Sequence, residues 1–187
     1  MSDEKLSVYL CYLLRHRPET LSLSMDRHGW VPTAQLIRAI NAQGRYTLSM
    51  DKLRAIAAAD EKGRYRISED GTRIKACQGH SIPWVEPELV YRDPPALLYH
   101  GTTARAHDLI RKSGAISRME RHAVHMQAEE ARAWQSARRR KGQTPVVLVI
   151  DAARMAADGY RFGVSENDVW CTETVPVAYL LGARYTE

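Results

Sequence analysis

The chain has 187 residues, of which 44% are hydrophobic, so it can bury the core of one large domain or of two small lobes. Its net charge of +5 and its pI of about 9.2 favour a polyanionic partner. Scattered cysteines and histidines without zinc spacing argue against a disulfide framework and a structural metal. With neither a signal peptide nor a long apolar run in view, we expect a cytoplasmic protein without a membrane span.

The first predicted element is a helix over residues 4–16 that ends in a group of cations. Its apolar residues recur at the spacing of one helix face, at Leu6, Tyr9, Leu10 and Leu13. Pro18 disfavours helical backbone at Arg17, so the helix should end near there. Arg15, His16 and Arg17 crowd this end. Cations favour the dipole of a helix C-terminus, which is the simplest explanation, but forked arginine donors also suit phosphate.

Two more helices and a β-hairpin are predicted to complete the first lobe. A short strand at residues 30–31 precedes a helix that opens at Thr33, and Ser49 is a plausible N-cap for a third helix. Asp70 and Gly71 signal a turn between two alternating strands. Three helices and a hairpin are typical of a winged helix, a fold that often binds nucleic acid.

One face of this hairpin is predicted to carry only cations. Successive side chains of a strand point to opposite faces, which places four of them together: Arg64, Arg66, Arg73 and Lys75. Like charges side by side repel one another unless an anion lies there. A solvated face is the simpler alternative, but such faces usually mix the two signs.

A proline-rich segment separates the first lobe from the second. Four prolines between residues 82 and 95 exclude a helix, so we expect a lobe over residues 1–82, a stiff linker over 83–95 and a lobe over 96–187. The second lobe is predicted to have helices at residues 103–113 and 128–140, the latter with Gly142 as C-cap. Its strands are predicted at residues 97–102, 124–126, 145–150, 169–172 and 175–181. Short strands with two helices indicate an α+β fold, and neither a Rossmann nor a P-loop signature occurs.

Seven short motifs occur in order along nearly the whole chain. They are Leu14-Arg15-His16-Arg17-Pro18, Lys62-Gly63-Arg64-Tyr65, Gln78-Gly79-His80-Ser81, Tyr99-His100-Gly101-Thr102, Val124-His125-Met126, Arg139-Arg140-Lys141-Gly142 ahead of Pro145, and Ser165-Glu166-Asn167-Asp168-Val169-Trp170. In residue types and spacing the chain closely resembles the NAD-dependent RNA 2′-phosphotransferases, also called tRNA 2′-phosphotransferases, which act in tRNA splicing.

The resemblance implies a fold and a reaction. The fold is a winged-helix RNA lobe followed by an ADP-ribosyltransferase-like NAD lobe. The reaction uses NAD as a co-substrate, without metal, to remove an internal 2′-phosphate from RNA through an ADP-ribosylated intermediate. The products are RNA with a 2′-OH, ADP-ribose 1″,2″-cyclic phosphate and nicotinamide. We expect a monomer, with a tRNA-like RNA as its partner.

The resemblance also implies roles for individual residues. Arg15, Arg64 and Arg140 would bind the 2′-phosphate, and His16 would assist the transesterification. The NAD-binding set would be His100, Gly101, Thr102, His125, Ser165, Asn167 and Trp170. The RNA-binding set would be Arg17, Arg66, Arg73, Lys75, His80 and Arg139. Because three arginines run together, Arg139 is the alternative to Arg140.

Several interpretations stay open at the level of sequence. His100 and His125 fit half-buried structural histidines, and Trp170 fits a core residue. Asp168 stands where the family usually has glycine. Two other classes of function compete with the transferase: an ADP-ribosyltransferase that modifies nucleic-acid ends or protein, and a winged-helix RNA-binding module without enzymatic activity.

Overall fold

The protein is described by a computed structural model that covers residues 3–86 and 88–186. The chain divides into two compact units, residues 1–88 and 89–187, each with its own hydrophobic core. Both units combine helices with small antiparallel sheets, which confirms the α+β prediction at that level. The division falls inside the predicted linker, of which residue 87 lies outside the described residues.

The first unit consists of helices packed on a small sheet. Its helices are α1 (Asp3–Arg15), α2 (Thr33–Ala42) and α3 (Met50–Ala58), with a short 3-10 helix at Pro18–Leu21. Its strands are β1 (Val31–Pro32), β2 (Tyr65–Ile67) and β3 (Arg73–Ala76). They pair antiparallel in the order β1-β3-β2, so β3 is the central strand. The predicted three helices, short strand and hairpin are all present.

Local sequence explains these elements. The buried side of α1 is built from leucines at helical spacing, Leu6, Leu10 and Leu13, each at most 1% exposed. The hydroxyl of Ser49 accepts a hydrogen bond from the Lys52 backbone N–H at 3.2 Å, which confirms the predicted N-cap of α3. A short-range signal therefore fixes the N-terminus of α3.

The second unit contains the longest strands, two of seven residues each. Its strands are β4 (Val90–Tyr91), β5 (Leu97–Thr103), β6 (Ala115–Ser117), β7 (Val124–Met126), β8 (Pro145–Asp151), β9 (Gly163–Val164), β10 (Trp170–Thr172), β11 (Thr174–Pro176) and β12 (Leu180–Tyr185). Its helices are α4 (Ala104–Ser113), α5 (Glu130–Ala137) and α6 (Ala152–Ala157), with a 3-10 helix at Val177–Tyr179. The sheets have the orders β12-β8-β5, β4-β9-β10-β7 and β11-β6.

Gly101 allows α5 to pack closely against β5. A Cβ built on Gly101 would lie 2.0 Å from the Ala133 carbonyl oxygen and 2.9 Å from the Ala137 backbone nitrogen. Ala133 and Ala137 are the buried residues of α5. Small residues on both sides of this contact thus bring helix and strand backbone together. Since neighbouring strand residues point to opposite faces, His100 and Thr102 lie on the face of β5 away from α5.

Three details of the second unit differ from the sequence predictions. The helix predicted over 128–140 ends at Ala137, and Gly142 lies in the following turn and does not cap it. No apolar side chain between 138 and 144 is available to pack another turn. Leu109, an apolar residue within the predicted helix 103–113, is 59% exposed, whereas apolar helix residues usually face the core.

Sequence reasoning missed α6 and the full length of β12. The Asp151 carboxylate accepts a hydrogen bond from the Arg154 backbone N–H at 3.1 Å and caps α6. β12 runs to Tyr185 and pairs with β8, although its burial does not alternate cleanly. Among the described residues, no helix has both the length and the apolar character needed to cross a membrane.

Candidate active site

The end of α1 is joined to the segment 77–81 that follows the hairpin. The Ser81 backbone N–H donates to the Arg15 carbonyl at 3.0 Å, and His16 Nδ1 lies 2.9 Å from the Ser81 hydroxyl. Gly79 has a φ of +86°, and a Cβ built there would lie 3.6 Å from Arg15 Cζ. The structure therefore brings two of the sequence motifs, those around Arg15 and around Gly79, into one cluster.

Arg15 carries two buried donors without a partner. Its Nε and Nη2 atoms are buried donors that have no hydrogen-bonding partner among the described residues. Leaving a buried donor unsatisfied costs about 1–3 kcal/mol, more for charged groups. Nε and Nη2 form one edge of the guanidinium, the arrangement that binds two oxygens of a phosphate or carboxylate. This edge has the form of an anion-binding group.

Arg64 is held by a carboxylate of the same unit. Its Nε donates to Asp60 Oδ1 at 2.7 Å, and its Nη2 lies 2.5 Å from the same oxygen. Burial lowers the pKa of the Arg64 guanidinium, but the hydrogen bond and charge of Asp60 outweigh burial, so the net shift is upward. The Cys77 backbone N–H donates to the Arg64 carbonyl at 2.9 Å, which ties Arg64 to the start of segment 77–81.

The four cations predicted on one face of the hairpin do not form an open cationic surface. Lys75 is 3% exposed, pairs with Glu88 and lies 4.7 Å from the centre of the Trp30 ring. Arg64 pairs with Asp60, and Arg73 lies 3.8 Å from Asp26. Carboxylates from outside the two strands pair with these cations, and strand periodicity cannot locate such partners. Arg66, opposite Lys75 in the ladder, is exposed.

The other residues of the predicted RNA-binding set occupy different environments. His80 is 1% exposed and packs against Gly29, where a Cβ would lie 2.9 Å from His80 Nε2. Since Lys75 and His80 are buried, neither presents a surface to RNA in this structure. Arg17 is exposed and lies 3.3 Å from Glu19, and Arg139 is exposed on the turn after α5.

His100 and His125 meet in the second unit. His100 Nδ1 lies 2.9 Å from the His125 carbonyl oxygen, which can only accept, so Nδ1 carries the proton and donates. Burial lowers the pKa of His100, the bond to His125 opposes this, and the nearby charge of Arg121 lowers the pKa further. The neutral imidazole therefore has Nε2 as its acceptor.

A tight turn organises the last predicted motif. The hydroxyl of Ser165 donates to Asn167 Oδ1 at 2.8 Å, and the Val169 backbone N–H donates back to that hydroxyl at 3.2 Å. Asp168 has a φ of +59°, in the left-handed region that favours glycine. Trp170 follows, is 6% exposed and belongs to the hydrophobic core, as its simpler interpretation predicted. The guanidinium of Arg92 lies 5.2 Å from its ring centre.

Comparison with known proteins agrees with this arrangement. The family model described as RNA 2′-phosphotransferase, Tpt1/KptA family, matches residues 1–174. The chain belongs to this RNA 2′-phosphotransferase family. The family named from seven sequence motifs is thereby confirmed.

Several relatives are named "Probable RNA 2′-phosphotransferase". The one from Burkholderia pseudomallei is 39% identical over 176 residues, covering 94% of this chain and 93% of the relative. The one from Fusobacterium nucleatum is 40% identical over 179 residues, covering 96% and 98%. The one from Agrobacterium fabrum is 42% identical over 174 residues, covering 93% and 91%. The likeness therefore spans essentially the whole chain.

The sequence analysis of this RNA 2′-phosphotransferase family member did not identify two charged residues that act on predicted site residues. Asp60 holds Arg64, and Arg121 lies close enough to His100 to act on its pKa. An acidic residue four positions before a predicted phosphate-binding arginine was the available signal for Asp60. Arg140, predicted as the third catalytic arginine, is exposed on the turn after α5, and its carbonyl accepts from the Gln143 N–H at 3.3 Å.

Metal ligation has no visible basis in the part of the chain that the structure describes. No group of three or more histidine, cysteine, aspartate or glutamate side chains is placed there to hold an ion. Cys171 is buried, and burial raises the pKa of its thiol to about 12. This cysteine packs as a small apolar residue.

Proposed function

We propose that this family member transfers an internal 2′-phosphate from RNA to NAD, releasing RNA with a 2′-OH, ADP-ribose 1″,2″-cyclic phosphate and nicotinamide. The observation that carries the proposal is the buried, unpartnered Nε–Nη2 edge of Arg15 beside the His16–Ser81 contact. This edge suits two oxygens of a phosphate or carboxylate, and the family name specifies a 2′-phosphate of RNA.

The first unit is proposed to be a winged-helix-like RNA lobe. Arg15 and Arg64 would hold the 2′-phosphate, and exposed cations at Arg17, Arg66 and Arg73 would contact the RNA backbone. Phosphate contacts of this kind make affinity depend on salt. The binding of RNA should therefore weaken as the ionic strength rises, whatever its base sequence.

In the proposed first step, an oxygen of the RNA 2′-phosphate bonds to the anomeric carbon of the nicotinamide ribose. The bond to nicotinamide breaks, and nicotinamide leaves with the bonding pair as a neutral molecule. The sugar passes through an oxocarbenium-like state, as in glycoside cleavage. Because the leaving group is already cationic, it needs no protonation. The protein must mainly align the phosphate with the sugar.

In the proposed second step, the 2″-hydroxyl of the attached ADP-ribose attacks phosphorus and loses its proton. The bond from phosphorus to the RNA 2′-oxygen breaks, and that oxygen takes up a proton. Arginines stabilise the extra charge that develops on the phosphate oxygens. His16, whose ring is oriented by Ser81, would assist this proton movement.

The second unit is proposed to be an ADP-ribosyltransferase-like lobe that binds NAD. A neutral His100 with its Nδ1 proton fixed by His125 offers Nε2 as an acceptor to a ribose hydroxyl. Thr102 shares that face of β5 and would contact the same ribose region. Gly101, Ser165, Asn167 and Trp170 stay in the proposed NAD set, although packing alone explains Gly101.

The third phosphate-binding arginine is proposed to be Arg140, with Arg139 as its alternative, as the family resemblance implies. Both residues are exposed on the turn after α5. Their forked guanidinium donors suit the oxygens of a phosphate group.

The direct test is to measure nicotinamide release with chemically defined substrates. The protein is incubated with NAD and a short RNA carrying one internal 2′-phosphate, and in parallel with the same RNA carrying a 2′-OH. We expect stoichiometric nicotinamide release in the mixture with 2′-phosphorylated RNA and none in the mixture with 2′-OH RNA. Equal release from both mixtures would mean that NAD is cleaved without use of the 2′-phosphate, and would refute the proposed reaction.

A further inference from the structure

Asp60 devotes its whole carboxylate to one residue. Oδ1 accepts from Arg64 Nε at 2.7 Å and lies 2.5 Å from Nη2, while Oδ2 accepts from the Arg64 backbone N–H at 2.5 Å. The Gly63 N–H donates to the Asp60 carbonyl at 2.8 Å, and Gly63 has a φ of +53°. A tight turn after α3 thus returns Arg64 to Asp60, fixing both its main chain and its side chain.

The two side chains of this pair are buried to different extents. The Asp60 side chain is 2% exposed, whereas that of Arg64 is 27% exposed. The Asp60 carboxylate is therefore the more deeply buried partner, and the Arg64 side chain remains partly accessible. Burying a carboxylate costs free energy unless it is well paired, and here the three donors of Arg64 supply that pairing.

Arg15 and Arg64 use the same guanidinium edge differently. In Arg15 the Nε–Nη2 edge is buried and unpartnered, whereas in Arg64 the same edge is occupied by Asp60. A ligand can therefore meet Arg15 at its side edge, but it can meet Arg64 only at the outer end that carries Nη1. The two arginines would hold different oxygens of a single phosphate.

We propose that Asp60 is a positioning residue that fixes the Arg64 guanidinium so that its Nη1 end is presented to the RNA 2′-phosphate. This inference rests on the proposed function, because it assigns Arg64 to that phosphate. An arginine side chain loses much conformational freedom when it binds a ligand, and Asp60 removes that freedom beforehand. The cost is partial neutralisation of the Arg64 charge.

A double-mutant cycle in turnover rate tests the proposal. Asp60→Asn removes one acceptor oxygen and the charge, and is compared with Arg64→Ala and with the double variant. We expect Asp60→Asn to lower kcat roughly 10-fold to 100-fold, with a smaller change in KM, since misplaced groups slow chemistry by such factors. In the Arg64→Ala background the same change should alter kcat less than about twofold. Equal losses in both backgrounds would show that Asp60 acts through the fold and would overturn the proposal.

A matched control and a second readout complete the test. Asp51→Asn, in the exposed first turn of α3, makes the same chemical change and should leave kcat within about twofold. The ¹⁵N–¹H signal of Arg64 Nε, assigned by its loss in Arg64→Lys, should exchange slowly in the unaltered protein and be lost or broadened in Asp60→Asn. Fast exchange in the unaltered protein would refute the positioning role. This signal decides the inference even if no transfer to NAD occurs, an outcome that would refute only the proposed function.

Discussion

Gly101→Ala should destabilise the second unit because of a single backbone contact. The new Cβ would lie 2.0 Å from the Ala133 carbonyl oxygen, where ordinary contacts begin near 3.4 Å. Helix α5 would have to move by more than about 1 Å, and close-packed protein interiors resist displacements of that size. Overpacking costs about 1–3 kcal/mol, and a clash with backbone belongs at the upper end, so we expect a loss of about 3 kcal/mol.

Urea unfolding measures this loss directly. With a slope of about 1.5 kcal/mol per molar urea for a unit of this size, the midpoint should fall by about 2 M. Trp134 on α5 provides a fluorescence signal within the affected helix. Gly182→Ala on β12 is the matched control, because a Cβ there meets nothing within 4 Å. If the two variants unfold at the same urea concentration, the packing explanation of Gly101 is wrong.

Three other predictions concern Arg15, His100 and Asp168. Arg15→Met should lower the transfer rate roughly 10²–10³-fold. It should also raise the free energy of unfolding by about 1–2 kcal/mol, because it removes buried unsatisfied donors. A loss of stability in urea would contradict this. The lowered pKa of His100 means that the unfolded chain binds the proton first as pH falls, so its contribution to stability is complete above about pH 6.5 and declines below it. That decline should be smaller in His100→Asn when unfolding is followed across pH. Asp168→Val should cost about 1–2 kcal/mol at its φ of +59°, whereas Asp168→Gly should cost nothing, and equal costs in urea would exclude backbone strain.

Short-range signals in the sequence predicted much of the fold. The leucine spacing of α1, the Ser49 cap and the Asp70-Gly71 turn each act within a few residues, and all three appear in the structure. Helix α5 was placed too long because its end depends on packing: the buried contact with β5 stops at Ala137. The cationic run beyond that point looks helical when tertiary contacts are ignored.

The candidate site was predictable in its residue types but not in its pairings. The arginine and histidine motifs predicted Arg15, His16 and Arg64, and the structure ties each of them to the segment 77–81. Ion pairs between distant segments, such as Lys75 with Glu88, leave no periodic trace in a sequence. Strand alternation alone therefore predicted a face of cations without their carboxylate partners.

Following a labelled 2′-phosphate tests the central claim most directly. RNA carrying ³²P only in an internal 2′-phosphate is incubated with the protein and NAD, and the labelled product is identified by chromatography against standards. The account predicts that the label leaves the RNA in ADP-ribose 1″,2″-cyclic phosphate. Label recovered as inorganic phosphate, with NAD unconsumed, would identify a hydrolytic reaction and contradict the proposed transfer.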